Sequence, residues 1–426
     1  MHYYSDKYKE WTVYVSRFNN GQFSDPIEVY YEAFDIPRTQ LSNAYQRFTR
    51  NIDNVRDLVK SPDSSHVAFV NVIRAADYRK DDIVSVAVWN ADMTLKWKAV
   101  FDFKFGDKDF DVKEAVVSND GQVYFLASVD RRLDNRGKPI SHDQKGLPKY
   151  VFNMYKVSEE EILENKVDLG RGKGIVDAGL FVENEDTGEV LLGGFYTTDN
   201  PKTKVEGVFF VSGTQELKMG DYKVHKFGQR YMAGLASTRA IKKKKGLSYN
   251  YDIKNLLFFD NETMGFVAEN NFISRSNNNI SPYNRSFTGV NNRFNERIDY
   301  QTNEIVIPRF DMAGELINIE KIDKSFRSEQ RDQTSYALAT ANNKTYLIFN
   351  DKKSGHEKKS IRKKGNRFTD LVVLDASGKI EFNDTIFTNK ESDLPFVTSL
   401  VDYSDKYIIV GASFGSKFTF GRIDLR

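Results

Sequence analysis

The sequence contains no cysteine, few histidines and no long apolar run, and each absence narrows the range of possible functions. Without cysteine the chain cannot form a disulfide framework, a thiolate metal site or a cysteine nucleophile. The five histidines are scattered, and no two of them have the spacing of metal ligands. No apolar segment reaches the roughly 18 residues that span a bilayer. We therefore expect neither a zinc enzyme nor a transmembrane segment.

Enzyme signatures and a targeting segment are also missing. The sequence has no Gly-Lys-Ser/Thr phosphate loop and no Gly-x-Ser-x-Gly nucleophile elbow. Met1 is followed by a polar, aromatic start in the place of a signal peptide. We interpret this start as that of a chain trimmed of its export signal, since the absence of cysteine fits an exported bacterial protein; a cytosolic chain would look the same. We expect a periplasmic or cell-surface protein.

The chain does contain a short phrase that recurs six times. Each copy has a hydrophobic run, a turn of Asp, Asn, Ser or Gly, and a second, strongly apolar run. The clearest copies are residues 59–70, 115–126 and 180–192, and looser copies are 256–268, 337–349 and 400–412. Each is a predicted β-hairpin, because its turn residues accept the backbone angles of a tight reversal. The 22 Tyr and 32 Phe suit half-buried strand faces.

A second hairpin follows each of the first five, so that a unit has four strands, A to D. Units begin near residues 55, 112, 176, 252, 335 and 398. Four-stranded antiparallel units repeated along a chain predict an all-β protein, a β-propeller with six blades, or seven as the alternative. We expect residues 1–426 to form a single domain, in which the N-terminal strands complete the last blade.

Two sets of segments resemble known protein families. Residues 61–69 resemble the Ser-Pro-Asp-Gly turn and following strand of the Tol-system propeller repeats, and residues 11–26 resemble strands C and D of the same repeats. Residues 247–256, 335–338 and 346–351 look like uncharacterised envelope proteins of Gram-negative bacteria that use type IX secretion. These resemblances imply a propeller fold and export, but they assign no chemistry.

Four long segments fall in B to C or D to A connections, which leave the same face of a propeller. They are residues 130–149, 228–250, 270–303 and 351–367, and they hold 24 Lys and Arg against 7 Asp and Glu, a net charge of +17. The whole chain carries only +2. The pattern predicts a basic looped face on an acidic body, and a short helix within residues 228–245 of that face.

This looped face is the predicted docking surface for an envelope protein or an anionic glycan. The alternative is that lysine-rich loops are merely solvated. Nucleic acid is not an expected partner, because the total charge is near neutral. The predicted partner-binding residues are Lys242, Lys243, Lys244, Lys245, Lys358, Lys359, Arg362, Lys363, Lys364, Arg275, Tyr283 and Arg285.

Four carboxylates stand near the starts of successive A strands: Asp57, Glu114, Asp177 and Asp252. If they face one channel, they predict a metal site for a hard cation such as Ca²⁺, or a source of the acid and base for glycoside cleavage. The alternative is structural, with the acids bonded to neighbouring strand-A amides or to nearby Lys and Arg. Otherwise no cofactor is expected.

The sequence favours a non-enzymatic protein, although it leaves an activity open. No residue is assigned a catalytic role. The leading hypothesis is a binding or scaffold propeller of the bacterial envelope, which contacts an acidic partner through its basic looped face. The alternative is a glycan-active propeller enzyme that uses the channel carboxylates.

Overall fold

The computed structural model describes parts of the chain that together contain 28 strands. Between residues 2 and 33 it describes the backbone of five strands alone. The remaining described ranges are 59–73, 82–103, 110–130, 150–170, 173–182, 189–198, 205–228, 231, 250–259, 263–277, 296–330, 333–352, 368–388, 394–414 and 417–425. The chain divides into two compact units. Unit 1 comprises Met1–Pro201 with Phe209–Val224, and unit 2 comprises Lys202–Val208 with His225–Arg426.

Unit 1 contains the strands of the first half of the chain. They are β1 (His2–Ser5), β2 (Glu10–Val15), β3 (Phe18–Asn19), β4 (Gln22–Phe23), β5 (Ile27–Ala33), β6 (Val59–Lys60), β7 (His66–Ile73), β8 (Asp82–Asn90), β9 (Leu95–Phe103), β10 (Phe110–Val117), β11 (Val123–Asp130), β12 (Tyr150–Val157), β13 (Ile162–Lys166), β14 (Gly174–Val182) and β15 (Val190–Thr197). Strands β16 (Gly207–Gly213) and β17 (Lys223–Lys226) contain the boundaries between the units.

Unit 2 contains the strands of the second half. They are β18 (Tyr251–Phe259), β19 (Thr263–Asn277), β20 (Glu296–Asp311), β21 (Leu316–Ser328), β22 (Tyr336–Ala341), β23 (Lys344–Asp351), β24 (Phe368–Leu374), β25 (Ile380–Thr388), β26 (Phe396–Tyr403), β27 (Tyr407–Phe414) and β28 (Lys417–Asp424).

The strands form sheets in simple chain order. Five sheets have four antiparallel strands, β6 to β9, β10 to β13, β14 to β17, β18 to β21 and β22 to β25, each paired in sequence. The sheets β1-β2-β5 and β26-β27-β28 have three strands each. A four-stranded antiparallel meander is the blade of a β-propeller, so the predicted all-β propeller fold is confirmed. The number of blades, the single domain and the closure of the last blade by the N-terminal strands stay predictions.

Polar side chains in the turns stabilise the hairpins, because they accept hydrogen bonds from backbone amides that have no strand partner where the chain reverses. Between β6 and β7, the Asp63 carboxylate accepts bonds from the Ser61 hydroxyl at 2.6 Å and the Ser65 amide at 2.9 Å. Between β24 and β25, Asp375 accepts from two backbone amides, and Gly378 supplies the positive φ of 73° that the turn needs. Such turns can be predicted from a few neighbouring residues of the sequence.

The cores lie between successive sheets of the same unit. In unit 1, Val84, Val86 and Val88 of β8 belong to one buried cluster with Phe125 of β11 and Tyr155 of β12. In unit 2, one buried cluster joins β18 to β21 with β22 to β24, and its members include Ile305, Ile307, Leu347, Phe349 and Val372. Since burying one such side chain contributes roughly 1.5–3 kcal/mol, the central strands hold each unit together.

One expectation about the connections is wrong, and another concerns residues that lie mostly outside the described part of the chain. Residues 270–303 were expected to be a loop, but β19 continues to Asn277 and β20 begins at Glu296, so much of that segment is a long hairpin. Alternation of polar residues, with little apolar signal, hid these strand extensions. In the predicted helical segment 228–245, Tyr231 is the one described residue in a helical conformation, and residues 232–245 lie outside the described part. Among the described residues, no helix has the length and apolarity to cross a membrane.

Candidate functional site

Each sheet has two chemically different ends. We call the end that carries the A to B and C to D turns the turn end, and the end that carries the B to C and D to A connections the loop end. In unit 1 the amide of Asp63 donates to the Asn119 side chain at 3.1 Å, which joins the turns of two successive sheets. In unit 2 the side chain of Asn342 donates to the carbonyl of Asp405 at 2.9 Å in the same way. Within each unit, therefore, turn ends lie side by side.

Charge is sorted between these ends. With the connections bounded by the observed strands, the loop end of unit 2 carries 18 Lys and Arg and 5 Asp and Glu, a net charge of +13. The turn end of unit 1 carries 12 Asp and Glu and a single lysine, Lys218, a net charge of −11. The turn end of unit 2 carries only −3, and the loop end of unit 1 carries +6. The strongest basic end is thus in unit 2 and the strongest acidic end in unit 1.

The predicted partner-binding residues belong to the connections of the basic loop end. Lys242, Lys243, Lys244 and Lys245 follow β17, Tyr283 and Arg285 follow β19, and Lys358, Lys359, Arg362, Lys363 and Lys364 follow β23, all outside the described residues. Arg275 was expected in a loop, but it lies in β19, opposite Ile298 of β20. This correction follows from the extended hairpin. The binding role of all these residues stays a prediction.

Close to this loop end, unit 2 contains a buried ionic cluster that sequence reasoning missed. Glu269 of β19 is completely buried, and its carboxylate contacts two ammonium groups. Lys254 of β18 lies 2.7 Å from Oε2, and Lys324 of β21, whose side chain is also completely buried, contacts Oε1. The hydroxyl of Ser335 donates to Oε2 at 3.1 Å and contacts the Lys254 ammonium. We call Glu269, Lys254, Lys324 and Ser335 the Glu269 cluster.

The charges of this cluster stabilise one another. Burial alone would raise the pKa of Glu269, but the ammonium groups of Lys254 and Lys324 hold that pKa below its ordinary value. Burial lowers the pKa of Lys324 to about 8, against the opposing attraction of Glu269. Lys324 also donates to the carbonyls of Thr334 at 2.5 Å and Ser335 at 2.9 Å, so its three donors are satisfied. These bonds connect β21 to the start of β22 in the next sheet.

A pair of carboxylates lies at the loop end of the next sheet, beside the long connection 352–367. Asp351 ends β23, and its carboxylate accepts from the amides of Ser325 at 3.0 Å and Lys352 at 2.6 Å. Asp370 of β24 accepts from the Thr385 hydroxyl at 2.7 Å. Burial and the charge of Asp351 raise the pKa of Asp370 to about 6. Because Asp370 is opposite Phe349, the two carboxyl groups are diagonal neighbours on one face of the sheet.

The predicted metal-binding carboxylates are not at equivalent positions. Glu114 and Asp177 each follow a one-residue bulge in their A strands. In β18 the residue that follows the bulge is Asn255, and Asp252 lies three positions earlier. A bulge shifts the register, which sequence alone did not reveal. Asp57 lies outside the described residues.

Contacts at these positions favour a structural role. The amide of Leu180 in the next sheet donates to Glu114 at 3.2 Å, and the Tyr336 hydroxyl in the next sheet donates to Asn255 at 2.9 Å. The side chain of Asn271 donates to Asp252 at 3.5 Å. Among the described residues, no group of three or more His, Cys, Asp or Glu side chains is arranged to hold a metal ion. The Ca²⁺ hypothesis stays a prediction.

A serine, a histidine and an aspartate also meet at the turn end of unit 1. The Ser65 hydroxyl donates to Asp63 at 2.7 Å and lies 2.7 Å from Nδ1 of His66, while Lys96 lies 2.8 Å from Nε2 of the same ring. In a catalytic triad the histidine stands between serine and aspartate. Here the serine stands between the other two, so Asp63 does not orient the histidine as the aspartate of a triad does. Burial and the Lys96 charge also lower the pKa of His66.

Comparison with known proteins adds no evidence on function. No protein-family model matches the chain, and no curated protein matches it. Among solved structures, the β-propeller domain of the Trilobed protease from Pyrococcus furiosus is 11% identical, with a TM-score of 0.37 and coverage of 87% of this chain and 82% of that one. The Swd1 β-propeller domain from Myceliophteria thermophila is 9% identical, with a TM-score of 0.41 and coverage of 86% and 82%.

A third similar structure is an enzyme. The ulvan lyase of polysaccharide lyase family PL25 is 10% identical, with a TM-score of 0.39 and coverage of 99% of this chain and 91% of that one. At such identities and TM-scores these likenesses carry no argument about substrate or activity. The fold assignment rests on the strand topology of this chain.

Proposed function

We propose that the protein is a non-enzymatic binding or scaffold module that holds an acidic partner at the loop end of unit 2. The observation that carries the proposal is the sorting of charge, with +13 in the connections of that end and −3 in the turns at the opposite end of the same unit. Random placement of lysine on a solvated surface would not separate the two signs in this way. A strongly basic end attracts anionic partners and raises their rate of association.

The Glu269 cluster supports a scaffold role for the sheets below this surface. Its two lysines are held by Glu269, and Lys324 is additionally bonded to two carbonyls, so neither lysine is a free base. Neither lysine can therefore activate the Ser335 hydroxyl as a nucleophile. The cluster instead connects two neighbouring sheets, which gives the basic connections a rigid base.

A direct test uses immobilised polyglutamate and a sulfated polysaccharide as anionic probes. The variant has Lys242, Lys243, Lys244 and Lys245 replaced by Gln, and the control has four exposed lysines elsewhere, Lys166, Lys218, Lys223 and Lys226, replaced in the same way. We expect wild-type retention that weakens as salt rises, because exposed charges are screened over about 10 Å at 0.1 M salt. The Lys242 to Lys245 variant should elute at clearly lower salt than the control. Equal elution of the two variants would contradict the proposal.

A glycan-active enzyme is the second candidate function. It is favoured by Asp351 and Asp370, two buried carboxyl groups on one face of a sheet, one with a pKa raised to about 6. A general acid with a raised pKa beside a second carboxylate is the pattern of glycoside cleavage. Release of reducing ends from anionic polysaccharides, abolished in Asp370→Asn, would support this candidate. No release from a broad glycan panel would leave the binding function as the better account.

We also propose that the protein is exported and works at the periplasm or cell surface. The absence of cysteine and the resemblance to envelope proteins of type IX-secreting bacteria support this location. Fractionation of the native source, with detection by a specific antibody, tests it. Recovery from the cytosolic fraction would contradict it.

A further inference from the structure

A buried arginine at the turn end of unit 2 has no counter-charge among the described residues. Arg309 of β20 lies on the same face of its strand as Ile305 and Ile307, which belong to the core between two successive sheets. Arg309 is only 5% exposed, and its Nε atom is completely buried. No hydrogen bond or ion pair joins its guanidinium group to any residue that the structure describes. An unpaired charge in such surroundings is strongly unfavourable, and a bound anion would relieve it.

Two neighbouring positions without a side chain make room for the guanidinium group. Gly378, in the turn between β24 and β25 of the next sheet, comes so close that a Cβ atom there would lie 2.8 Å from Nε of Arg309. Gly265 is directly opposite Arg309 in β19, and a Cβ atom there would lie 3.4 Å from Cγ of the arginine. The guanidinium carbon lies 5.4 Å from the centre of the Phe259 ring, whose face attracts cations. We call Arg309, Phe259, Gly265 and Gly378 the Arg309 site.

The Arg309 site stands beside a β-bulge. The register of β20 and β21 shifts directly after Arg309, which is opposite Asn318. Bulges are common beside functional sites, because they turn a side chain to a new direction. Glu320, the acidic residue on the same face of β21, accepts a hydrogen bond from the Asn318 side chain at 2.8 Å and forms no ion pair with Arg309. In the described sheets, therefore, the guanidinium group is positioned but not paired.

The chemistry of the Arg309 site favours a carboxylate. A guanidinium group is planar, and its donors match the two oxygen atoms of a carboxylate. It carries one positive charge, which a carboxylate balances and a doubly charged sulfate exceeds. Because only a small part of Arg309 is exposed, the ligand must also be small. We propose that Arg309 binds the carboxylate of a small organic acid.

This site recognises an anion by contact, unlike the basic loop end. The turns at this end of unit 2 carry a net charge of −3, so long-range attraction does not gather anions there. Binding depends instead on hydrogen bonds to a buried charge, which are stronger inside a protein than on a solvated surface. Since the site lies at the end of unit 2 opposite the basic connections, this inference does not depend on the proposed function.

Hydrogen exchange of unit 2 in two salts tests the site. Peptides covering β20 and the turn after β24 are followed at pH 7 in about 100 mM sodium formate and in sodium chloride of the same concentration. Formate is the smallest carboxylate, and it is fully ionised at this pH. If formate binds with a Kd of about 10 mM, these peptides of wild type should open about ten-fold less often in formate than in chloride.

The variant Arg309→Met separates binding at the site from general effects of salt. Methionine fills similar space without a charge, so the variant should lose the formate response and should open no more often than wild type in chloride. The matched control is Arg327→Met, because Arg327 belongs to the same unit and is paired with the buried Asp299. The control should open more often in chloride but keep the formate response. Sulfate of the same ionic strength should give a smaller Arg309-dependent effect than formate.

Four results would overturn the inference. Equal exchange of wild type in formate and in chloride would show that no carboxylate binds. A formate response that Arg309→Met retains would place the carboxylate elsewhere, and faster opening of this variant in chloride would show that the guanidinium group already has a counter-charge. A sulfate effect larger than the formate effect would exclude a carboxylate as the preferred ligand. If Arg309→Met does not fold, Arg309→Lys replaces it; lysine keeps the charge but loses the planar fork, so the formate response should weaken, and an unchanged response contradicts the site.

Discussion

Replacing Glu269 by Gln removes the carboxylate that both lysines of the Glu269 cluster contact. The substitution keeps the size of the side chain and one carbonyl acceptor, so packing changes little. The completely buried Lys324 ammonium then keeps its bonds to the carbonyls of Thr334 and Ser335 and the weaker attraction of the Asp351 charge, and Lys254 keeps a contact to Ser335. The energetic effect is therefore electrostatic in origin.

The expected loss of stability is large. Breaking a buried ion pair by removing one partner costs about 3–5 kcal/mol, because the other charge remains without compensation. Both Glu269 and the Lys324 side chain are fully buried, so solvent does not screen the loss. The loss should shrink as pH rises toward about 8. Glu269 raises the pKa of Lys324, so in the variant this buried amine releases its proton at a lower pH than in wild type, and the uncompensated charge disappears.

Hydrogen exchange in urea is the suitable assay, because it reports on unit 2 separately from unit 1. Peptides covering β19 and β21 should open at lower urea concentration in Glu269→Gln than in wild type, at pH 7. The matched control is Glu381→Gln, which removes the carboxylate of an exposed pair with Lys344 and should change stability little, because solvent screens that pair. Equal effects of the two substitutions, or an effect of Glu269→Gln that grows with pH, would refute the reasoning.

Three further predictions follow from single positions. Gly194→Ala should destabilise unit 1 by about 1–3 kcal/mol, since its new Cβ would lie 2.4 Å from the carbonyl oxygen of Asp177, whereas Gly228→Ala meets no atom within 4 Å and should change thermal unfolding little. Asp370→Asn should raise the melting temperature at pH 7.5 but not at pH 4. The pKa of Asp370 is raised from 3.8 to about 6 in the folded protein, so the cost of ionising this buried carboxyl group builds up between those pH values and is complete above about 6. An equal shift at both pH values would refute this. The pKa of Lys324 is lowered in the folded protein, so the unfolded chain binds more protons between about pH 8 and 10.5. The stability of wild type should therefore rise relative to that of Lys324→Met across that pH range. Parallel curves of stability against pH would show that the pKa of Lys324 is not shifted.

The repeating hairpins could be predicted because their signals are local. Expected unit starts at 112, 176, 252, 335 and 398 lie within two residues of the observed starts of β10, β14, β18, β22 and β26, at 110, 174, 251, 336 and 396. Turn residues such as Asp63, with its bonds to Ser61 and Ser65, act over four or five positions of sequence. The first unit was less well placed, since β6 begins at Val59.

The Glu269 cluster could not be predicted, because its members are brought together by the packing of two sheets. Lys254 and Ser335 are 81 positions apart, and each lysine looks like an ordinary surface residue in a strand of mixed polarity. Whether such a side chain points into the structure depends on register, and the bulge at Lys254 changes that register. The same effect made Asp252 look equivalent to Glu114. A buried carboxylate next to two lysines has no sequence signature at all.

The separation of charge in this chain makes its isoelectric point a poor guide to its handling. A pI of about 8.3 and a net charge of +2 suggest weak binding to a cation exchanger and none to an anion exchanger. A resin, however, contacts one surface at a time, so the basic connections and the acidic turns can each attach to the resin of opposite sign. The protein should be retained by both kinds of column in the same low-salt buffer.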